Sequence, residues 1–375
     1  MRILLISRSW PSHEHSGVSL AAESHLRMLK EIGHEVSIVG SDPGLQNIKC
    51  DSSKSYYIYS RGTFALYSLP RIDLKALKTI LLKESPDLVI VEAWQTVLTD
   101  CSIYMAYKHG FPVLMISHGV SLDPFLKGFK WRLRSLGWFH YKRFILPGLI
   151  KKLSMLTTLD EDAASSRFYD RDLARRIGVP VIMLPNSPVN YSNRQLPRNL
   201  RRMQIIVVGY YSAVKNQMGA LDVAYSLRDY DVSLLFVGPK KGSYYSECVR
   251  KVEAMKLDKV IFADDQHCDL NREVGESILL LMTSVTEALP ITLIEAMASG
   301  TPFVATPVGA VPSLAGGLMG QNTPDLTNQI KRLLNDRELW QQLSEAGFNQ
   351  YKQQYTSAQV SAALARAVGM AVKAR

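Results

Sequence analysis

The sequence contains few cysteines, and no two of them stand close together. Cys50, Cys101, Cys248 and Cys268 form neither a Cys-x-x-Cys pair nor a zinc-ligand spacing. We therefore expect reduced thiols, as in a cytoplasmic protein, with no structural disulfide and no metal or other cofactor.

Long apolar runs and a dinucleotide-binding fingerprint are missing as well. No stretch approaches the ~20 apolar residues that cross a bilayer, and the run from Ile3 to Ile6 is too short for a signal peptide. We expect a cytoplasmic protein whose membrane contact is peripheral, at the inner face. No Gly-x-Gly-x-x-Gly follows the apolar runs that open the two halves of the chain, so a dehydrogenase is the least favoured class.

Acidic residues are missing from one long interval. The 375 residues include 44 Lys and Arg against 34 Asp and Glu, a net charge of +10. Residues 1–200 hold 26 basic and 17 acidic residues, whereas residues 201–375 hold 18 and 17. No acid occurs between Asp123 and Asp160, an interval with eight cations: Lys127, Lys130, Arg132, Arg134, Lys142, Arg143, Lys151 and Lys152.

The same interval is rich in aromatic residues, namely Phe125, Phe129, Trp131, Trp138, Phe139, Tyr141 and Phe144. Rings and cations without acids are typical of a segment that inserts rings among lipid headgroups and pairs its charge with anionic lipid. The predicted membrane or acceptor surface comprises Lys127, Lys130, Arg132, Arg134, Lys142 and Arg143. The alternative is a pair of core-packing helices with a solvated basic face. No nucleic-acid recognition motif accompanies the charge, so we expect no nucleic-acid partner.

What the chain does contain is an alternation of short buried runs and helical patterns. The runs predict strands at 3–7, 35–39, 88–92, 113–117, 155–159 and 181–184, then at 204–208, 232–237, 259–262, 278–282 and 303–305. Strand, helix, strand predicts parallel sheets. The polar stretch 191–202 is the predicted linker between domains 1–190 and 203–355. Residues 356–375 form a predicted helix that packs back towards the first domain.

This organisation predicts an α/β fold of two doubly wound, Rossmann-like domains facing a cleft. Ligands of such sheets bind at the carboxyl ends of the strands. Functional residues are therefore expected directly after the predicted strands.

The strongest motif of this kind is a pair of glutamates, Glu287 and Glu295, around a predicted helix start. Pro290 suits the first helical position, so the free N–H groups of Ile291 and Thr292 point out of the helix with the positive end of its dipole. This is an anion site suited to a diphosphate, flanked by two carboxylates that accept hydrogen bonds from hydroxyls. The alternative is a pair of solvated helix-end charges.

In this setting the chain resembles the retaining nucleotide-sugar glycosyltransferases of the GT-B fold, specifically family four, which carries a Glu-x7-Glu motif after a buried strand. The resemblance covers essentially the whole chain. It implies that Glu295 binds the donor ribose and that Glu287 contacts the hydroxyls of the transferred sugar. It also implies donor contacts from Leu289, Pro290, Ile291 and Thr292.

A second motif follows the first strand of the second domain. Gly209-Tyr-Tyr-Ser-Ala-Val-Lys215-Asn216 is similar to the family's Gly-Arg-Leu-x-x-x-Lys-Gly loop, with Tyr210 in place of the Arg. The resemblance implies that Lys215 and Asn216 bind the donor, with Lys215 as a point charge for phosphate. By itself, such a lysine is usually a solvated surface residue. By analogy of position, the nucleotide base lies over backbone near Ile261, with Gly238 leaving room beneath it.

Two further residues belong to the first domain. His118 closes the apolar strand 113–117 where the family has a His near the donor's hexose, although a His beside an apolar run is commonly a core residue. Gly17 opens the first helix where the family has Gly-Gly, and Ser16 replaces the first glycine. The resemblance implies catalytic roles for His118 and Glu287 and a donor contact for Gly17.

The function implied is hexose transfer, with retention and without a metal, from a nucleotide-diphospho-sugar to a glycan or lipid-linked acceptor in cell-surface polysaccharide or glycolipid assembly. Same-face attack assisted by the leaving phosphate is the favoured mechanism. Two alternatives stay open: a sugar-nucleotide epimerase on the same fold, and a non-catalytic donor-binding subunit, for which Ser16 and Tyr210 are the motivation.

Overall fold

The chain divides into two compact units in a computed structural model that describes residues 1–10, 17–45, 49–50, 54–65, 68–121, 129–188 and 195–374. Unit 1 comprises Met1–Asn186 and Ser357–Arg375, and unit 2 comprises Ser187–Thr356. Each unit is built on its own parallel sheet, with helices packed on the sheet faces.

Unit 1 contains ten strands within its described residues. They are β1 (Arg2–Ser7), β2 (Glu35–Ser41), β3 (Lys49–Cys50), β4 (Ser55–Ile58), β5 (Ser60–Arg61), β6 (Arg71–Ile72), β7 (Leu88–Glu92), β8 (Val113–Ile116), β9 (Met155–Thr158) and β10 (Val181–Met183). The main sheet has the order β10-β9-β8-β7-β1-β2-β4-β3, and β3 alone runs antiparallel within it. Strands β5 and β6 form a separate antiparallel pair.

The helices of unit 1 lie between these strands along the chain. They are α1 (Gly17–Glu31), α2 (Leu74–Glu84), α3 (Val97–Lys108), α4 (Phe129–His140), α5 (Leu146–Ile150) and α6 (Tyr169–Ile177). A π-helical turn, Tyr141–Ile145, joins α4 to α5 just before Pro147, whose missing N–H breaks the regular hydrogen-bond ladder. A 3-10 turn, Ser166–Phe168, leads into α6.

Unit 2 contains the remaining six strands of the described chain. They are β11 (Arg202–Val208), β12 (Ser233–Val237), β13 (Val260–Ala263), β14 (Ser277–Met282), β15 (Phe303–Ala305) and β16 (Gly317–Met319). All are parallel, in the order β13-β12-β11-β14-β15-β16, which is the 3-2-1-4-5-6 order of a Rossmann sheet.

The helices of unit 2 are α7 (Gln217–Ser226), α8 (Ser243–Met255), α9 (Leu270–Glu276), α10 (Ile291–Ala298), α11 (Thr323–Asn335) and α12 (Arg337–Gln354). Three 3-10 turns complete it, at Arg198–Leu200, Asp265–His267 and Val311–Ser313. Side-chain caps start α11 at Asn322 and α12 at Asp336, as expected for Asn and Asp at helix N-termini.

The last helix, α13 (Ser357–Lys373), belongs to unit 1 although it follows unit 2 in the chain. Leu364 and Val368 of α13 are buried in a core with Ile3 and Leu5 of β1. The other face of the same sheet has a second core, to which Leu4 and Ile6 contribute. The alternating residues of β1 therefore fill both faces, as a buried parallel strand requires.

The predicted α/β class and its two Rossmann-like sheets are confirmed, and each of the eleven predicted strands is present. The strands that the prediction missed are β3, β4, β5, β6 and β16. Most have only two or three residues, too few for an apolar run to stand out. One detail was wrong: Pro290 is the residue before α10, with ψ 117°, rather than its first helical residue.

Candidate functional site

In unit 2, two loops meet where the strand order reverses, between β11 and β14. The loop after β11 ends at Asn216, and the loop after β14 begins at Thr283. Val285 donates its N–H to the carbonyl of Val214 at 2.8 Å, and Thr283 Oγ1 donates to the carbonyl of Asn216 at 2.8 Å. The Asn216 side chain donates back to the carbonyl of Thr283 at 3.2 Å. The two loops therefore form one fixed edge at the position where ligands of such sheets bind.

Lys215 and Glu287 form an ion pair on this edge. Lys215 Nζ lies 2.7 Å from Glu287 Oε1, and the two side chains are 20% and 16% exposed. The Lys215 ammonium also lies 5.9 Å from the ring centre of Tyr210, the residue that replaces the family's arginine. The structure thus brings together two residues predicted from motifs that stand 72 positions apart.

Helix α10 starts four residues after Glu287, and no side chain caps its N-terminus in the part of the chain that the structure describes. Its first N–H groups are therefore available to an anion beside Lys215. Glu295, on the second turn of α10, is half-buried, and its Oε2 is fully buried with no hydrogen-bond partner among the described residues. Burial raises the pKa of Glu295 to about 7.

Gly309 allows the chain to pass close to the Glu287 loop. Its φ is +58°, and a Cβ there would lie 2.2 Å from the carbonyl oxygen of Glu287 and 2.4 Å from that of Ala288. The N–H of Ala310 donates to the Ala288 carbonyl at 2.8 Å. The sequence reasoning missed Gly309, since nothing local in the sequence shows that it faces this loop.

Three aromatic rings, Tyr211, Tyr245 and Phe262, pack together near the region predicted for the base. Tyr211 lies edge-on to Tyr245 at 4.9 Å between ring centres and packs near Phe262. Ile261, on β13, has half of its surface exposed, which leaves it accessible. A Cβ on Gly238 would lie 2.3 Å from the carbonyl oxygen of Gly209. The ends of β11 and β12 can therefore approach this closely because residue 238 has no side chain.

In unit 1, His118 belongs to a buried cluster at the carboxyl ends of its strands. Glu92, the last residue of β7, is 0% exposed and receives hydrogen bonds from two imidazoles. His118 Nε2 lies 2.7 Å from Glu92 Oε2, and His25 Nδ1, on α1, lies 2.7 Å from Glu92 Oε1. The sequence analysis identified His118 but not His25 or Glu92, because a Glu at the end of an apolar run gives no sign that it is buried.

Asp170 at the start of α6 fixes the loops on either side of this cluster. Its buried carboxylate accepts hydrogen bonds from Trp94 Nε1 at 2.7 Å and from Ser117 Oγ at 2.5 Å. Burial raises the pKa of Asp170, and the two bonds oppose that rise. Trp94 lies two residues after Glu92, and Ser117 directly precedes His118, so one carboxylate ties both loops together.

Three other predicted residues lie at or just before the start of a helix. Gly17 is the first residue of α1. Asn216, with φ +53°, caps α7 by accepting from the N–H of Gly219. Leu289 is buried just before α10. Ser16 lies outside the described residues.

The basic interval of unit 1 is partly core and partly surface. Trp138 and Tyr141 are buried, and the Tyr141 hydroxyl donates to Asp100 at 2.9 Å. Phe139 and Phe144 are 61% and 65% exposed, and Arg132, Arg134 and Arg143 are exposed as well, with Arg143 5.5 Å from the ring centre of Phe144. The Lys142 ammonium instead lies 4.3 Å from the ring of Tyr169. Lys127, and the side chain of Lys130, lie outside what the structure describes.

Within the described residues, no helix is long and apolar enough to span a bilayer. No group of three or more His, Cys, Asp or Glu side chains there is arranged to hold a metal ion.

Comparisons with known proteins agree with this architecture. Residues 191–350 match the family model described as glycosyl transferases group 1. Sucrose-phosphate synthase from Thermosynechococcus elongatus is 18% identical, with a TM-score of 0.71 over 97% of each chain. Anabaena HepE in complex with UDP is 14% identical, with a TM-score of 0.71 over 98% of this chain and 100% of that one.

A third solved structure, WaaG, is described as a glycosyltransferase involved in lipopolysaccharide biosynthesis. It is 14% identical, with a TM-score of 0.67 over 98% of this chain and 100% of WaaG. The curated protein sequences contain no match to the chain.

The chain therefore has the GT-B fold, with two Rossmann-like units. The stretch 191–350 that matches the glycosyl transferases group 1 model contains Lys215, Glu287 and Glu295.

Proposed function

We propose that the protein is a retaining glycosyltransferase that moves a hexose from a nucleotide-diphospho-sugar to a glycan or lipid-linked acceptor, in the assembly of a cell-surface polysaccharide or glycolipid. Unit 2 binds the donor and unit 1 the acceptor. The observation that carries the proposal is the edge of unit 2, where the Lys215 ammonium, the uncapped start of α10 and the unpartnered Glu295 oxygen occur together.

The charges at this edge suit a departing diphosphate. Negative charge grows on the leaving group as the sugar bond breaks, and a fixed ammonium with helix N–H groups stabilises it. Glu287 holds the ammonium of Lys215 at 2.7 Å, and its carboxylate accepts hydrogen bonds from sugar hydroxyls. The proposal assigns leaving-group stabilisation to these groups rather than to a metal, and it gives His118 and Glu287 the orientation of the sugar, as the sequence resemblance implies.

Glu295 suits a ribose. A buried carboxylate oxygen without a partner carries a desolvation cost, and a ribose hydroxyl that donates to it removes that cost. The solved structure of HepE with UDP supports a uridine nucleotide as the first donor to test.

The exposed side of the basic interval supports an acceptor at an anionic membrane surface. Phe139 and Phe144 are 61% and 65% exposed, the Arg143 guanidinium lies 5.5 Å from the ring centre of Phe144, and Arg132 and Arg134 are exposed in the same interval. Rings at headgroup depth with cations that pair with anionic lipid give reversible, peripheral association, at about 1 kcal/mol per cation.

Donor binding tests the proposal directly. A thermal-shift screen with UDP, GDP and ADP identifies the nucleotide, because a ligand at 100 times its Kd adds about 2.7 kcal/mol to stability. Calorimetry then compares wild type with Glu295→Gln. We expect the substitution to weaken nucleotide binding about tenfold or more, since it removes the charged acceptor of a buried hydrogen bond.

Glu345→Gln is the matched control, because Glu345 lies exposed on α12 of the same unit. It is expected to bind the nucleotide as wild type does. Equal affinity of wild type and Glu295→Gln, or the absence of binding by any of the three nucleotides, would contradict the donor assignment.

A further inference from the structure

Glu92, His118 and His25 form a buried, hydrogen-bonded cluster in unit 1. Each oxygen of the Glu92 carboxylate lies 2.7 Å from one imidazole nitrogen, Nε2 of His118 and Nδ1 of His25. The two rings lie 6.3 Å apart with an angle of 27° between their planes. One buried side chain thus holds both histidines.

The carboxylate in this cluster is ionised. Burial alone acts to raise the pKa of Glu92, but the hydrogen bonds from His25 and His118, together with the positive charge of either ring when it is protonated, outweigh it and lower the pKa. An ionised carboxylate has acceptor oxygens only. Each imidazole nitrogen that faces Glu92 must therefore carry a hydrogen and donate a hydrogen bond to the carboxylate.

The two rings consequently have opposite tautomers while they are neutral. His25 is protonated on Nδ1, and His118 is protonated on Nε2. The second nitrogen of His118, Nδ1, is then a lone-pair acceptor, and it makes no hydrogen bond within the described residues.

The surroundings keep His118 in this orientation. Asp170 receives the hydroxyl of Ser117, and the same hydroxyl group accepts the N–H of Gly119 at 3.1 Å, so the residues before and after His118 are both tied. Glu92 pairs with Ile116 in the sheet register, directly beside the strand that ends before His118. The cluster also lies next to β1, where the strand order of unit 1 reverses.

From this geometry we propose that Glu92 is a positioning residue that fixes His118 as its Nε2–H tautomer and leaves Nδ1 as the acceptor atom of the ring, with His25 holding the second carboxylate oxygen. The functional meaning of this inference rests on the proposed function. Such a ring accepts a hydrogen bond from a hydroxyl of a sugar or of an acceptor. While it is neutral, it has no free N–H to donate to an anionic group.

The test is a long-range ¹H–¹⁵N correlation spectrum of the full-length protein labelled with ¹⁵N-histidine, because the ¹⁵N shifts of an imidazole distinguish its tautomers. Signals are assigned with His118→Gln and His25→Gln. We expect an Nε2–H pattern for His118 and an Nδ1–H pattern for His25 in wild type at pH 8. An Nδ1–H pattern for His118 in the wild-type protein would overturn the proposal, and this result requires no variant of Glu92.

Glu92→Gln gives the second readout. Its amide offers one acceptor oxygen and one NH₂ donor, so it cannot accept from both rings. We expect at least one of the two histidines to change tautomer, and unchanged tautomers of both would contradict the inference. If this variant does not fold, Glu92→Asp keeps the charge with a shorter reach, and we expect it to weaken one of the two bonds and shift the ¹⁵N signals of that ring.

Glu84→Gln is the matched control. Glu84 accepts hydrogen bonds from Ser37 and Tyr56, away from both histidines, and its replacement is expected to leave both tautomers as in wild type. Since these spectra need no nucleotide, a wrong tautomer and a wrong donor assignment give separate results. The first changes the spectrum, and the second changes only the calorimetry of nucleotide binding.

Discussion

Glu295 shows what a buried carboxyl oxygen without a partner costs the folded chain. Its Oε2 is buried without a hydrogen-bond partner among the described residues, and burial raises its pKa from 4.5 to about 7. A carboxyl with a raised pKa in the folded state favours folding while it is protonated. That contribution is lost as the pH rises from about 4.5 to about 7, and it stays lost above.

We therefore expect Glu295→Gln to stabilise unit 2 at high pH and not at low pH. The gain is near zero at pH 4.5 and about 1 to 3 kcal/mol at pH 8, because one pKa unit corresponds to 1.36 kcal/mol and the side chain is only half-buried. Thermal unfolding at several pH values measures it. Glu345→Gln, on the surface of α12, is expected to show no such trend, and a pH-independent effect of Glu295→Gln would contradict the assignment of the buried carboxyl.

The same substitution is thus expected to weaken nucleotide binding and to raise stability. A purely structural residue lacks this combination, since its removal lowers stability. Weaker binding together with higher stability is common for substitutions at functional sites, where a polar group without a protein partner binds a ligand.

At the scale of an element, α10 is fixed at its C-terminal end by Arg201. The buried guanidinium donates to the carbonyls of Ser299 at 2.8 Å and Gly300 at 3.0 Å, and to Thr301 Oγ1 at 2.6 Å. Its plane also lies 5.1 Å from the ring of Trp340. A cation at this end complements the helix dipole and satisfies carbonyls that have no helical partner.

We expect Arg201→Lys to lower the free energy of unfolding of unit 2 by about 2 to 4 kcal/mol, since a lysine ammonium cannot reproduce the planar fork of donors and leaves buried carbonyls unpaired. Urea unfolding measures the effect. Arg202→Lys is the matched control, because Arg202 pairs with Glu273 and Glu276 near the surface, and we expect a loss below about 1 kcal/mol. Equal effects of the two substitutions would show that Arg201 does not hold α10.

At the scale of the whole molecule, the excess charge lies almost entirely in residues 1–200. The structure adds which of these cations are accessible. Arg132, Arg134 and Arg143 are exposed, as are the rings of Phe139 and Phe144, whereas Lys142 packs against Tyr169.

We expect the wild-type protein to float with vesicles that contain anionic lipid. The triple variant Arg132→Glu, Arg134→Glu and Arg143→Glu is expected to lower vesicle partitioning about 100-fold, since each cation contributes about 1 kcal/mol near an anionic surface. Flotation with phosphatidylcholine vesicles that contain 30% phosphatidylglycerol measures it.

The control reverses three exposed cations elsewhere in unit 1, Arg71, Lys75 and Lys78. It changes the net charge equally but is expected to preserve most of the flotation. If wild type stays at the bottom of the gradient, or if both triple variants lose binding equally, the basic interval is not a membrane surface.

Much of the fold was predictable because its strands are buried on both faces. β1 contains four consecutive apolar residues and β14 contains five, and such runs stand out in a sequence without reference to any partner. The short strands β3, β5 and β6 have two residues each and owe their pairing to neighbours along the sheet. Their formation depends on tertiary context that no local pattern records.

The candidate site was predictable where a motif lies within one loop and one helix. Glu287 and Glu295 fall on either side of the start of α10, and Lys215 falls in the loop after β11. His25 and Glu92 were missed because they meet across 67 positions of sequence. Neither residue is unusual in its local context.

The sequence by itself determined the two parallel sheets, the helix start beside Glu287 and the position of the excess positive charge, because apolar periodicity, proline placement and charge are local properties of the chain. Only the tertiary structure decided that Lys215 pairs with Glu287, that Glu92 joins two histidines, and which rings of the basic interval are buried. Those outcomes depend on which strand ends come together and on how much water they exclude, and both are set by packing across the whole sheet.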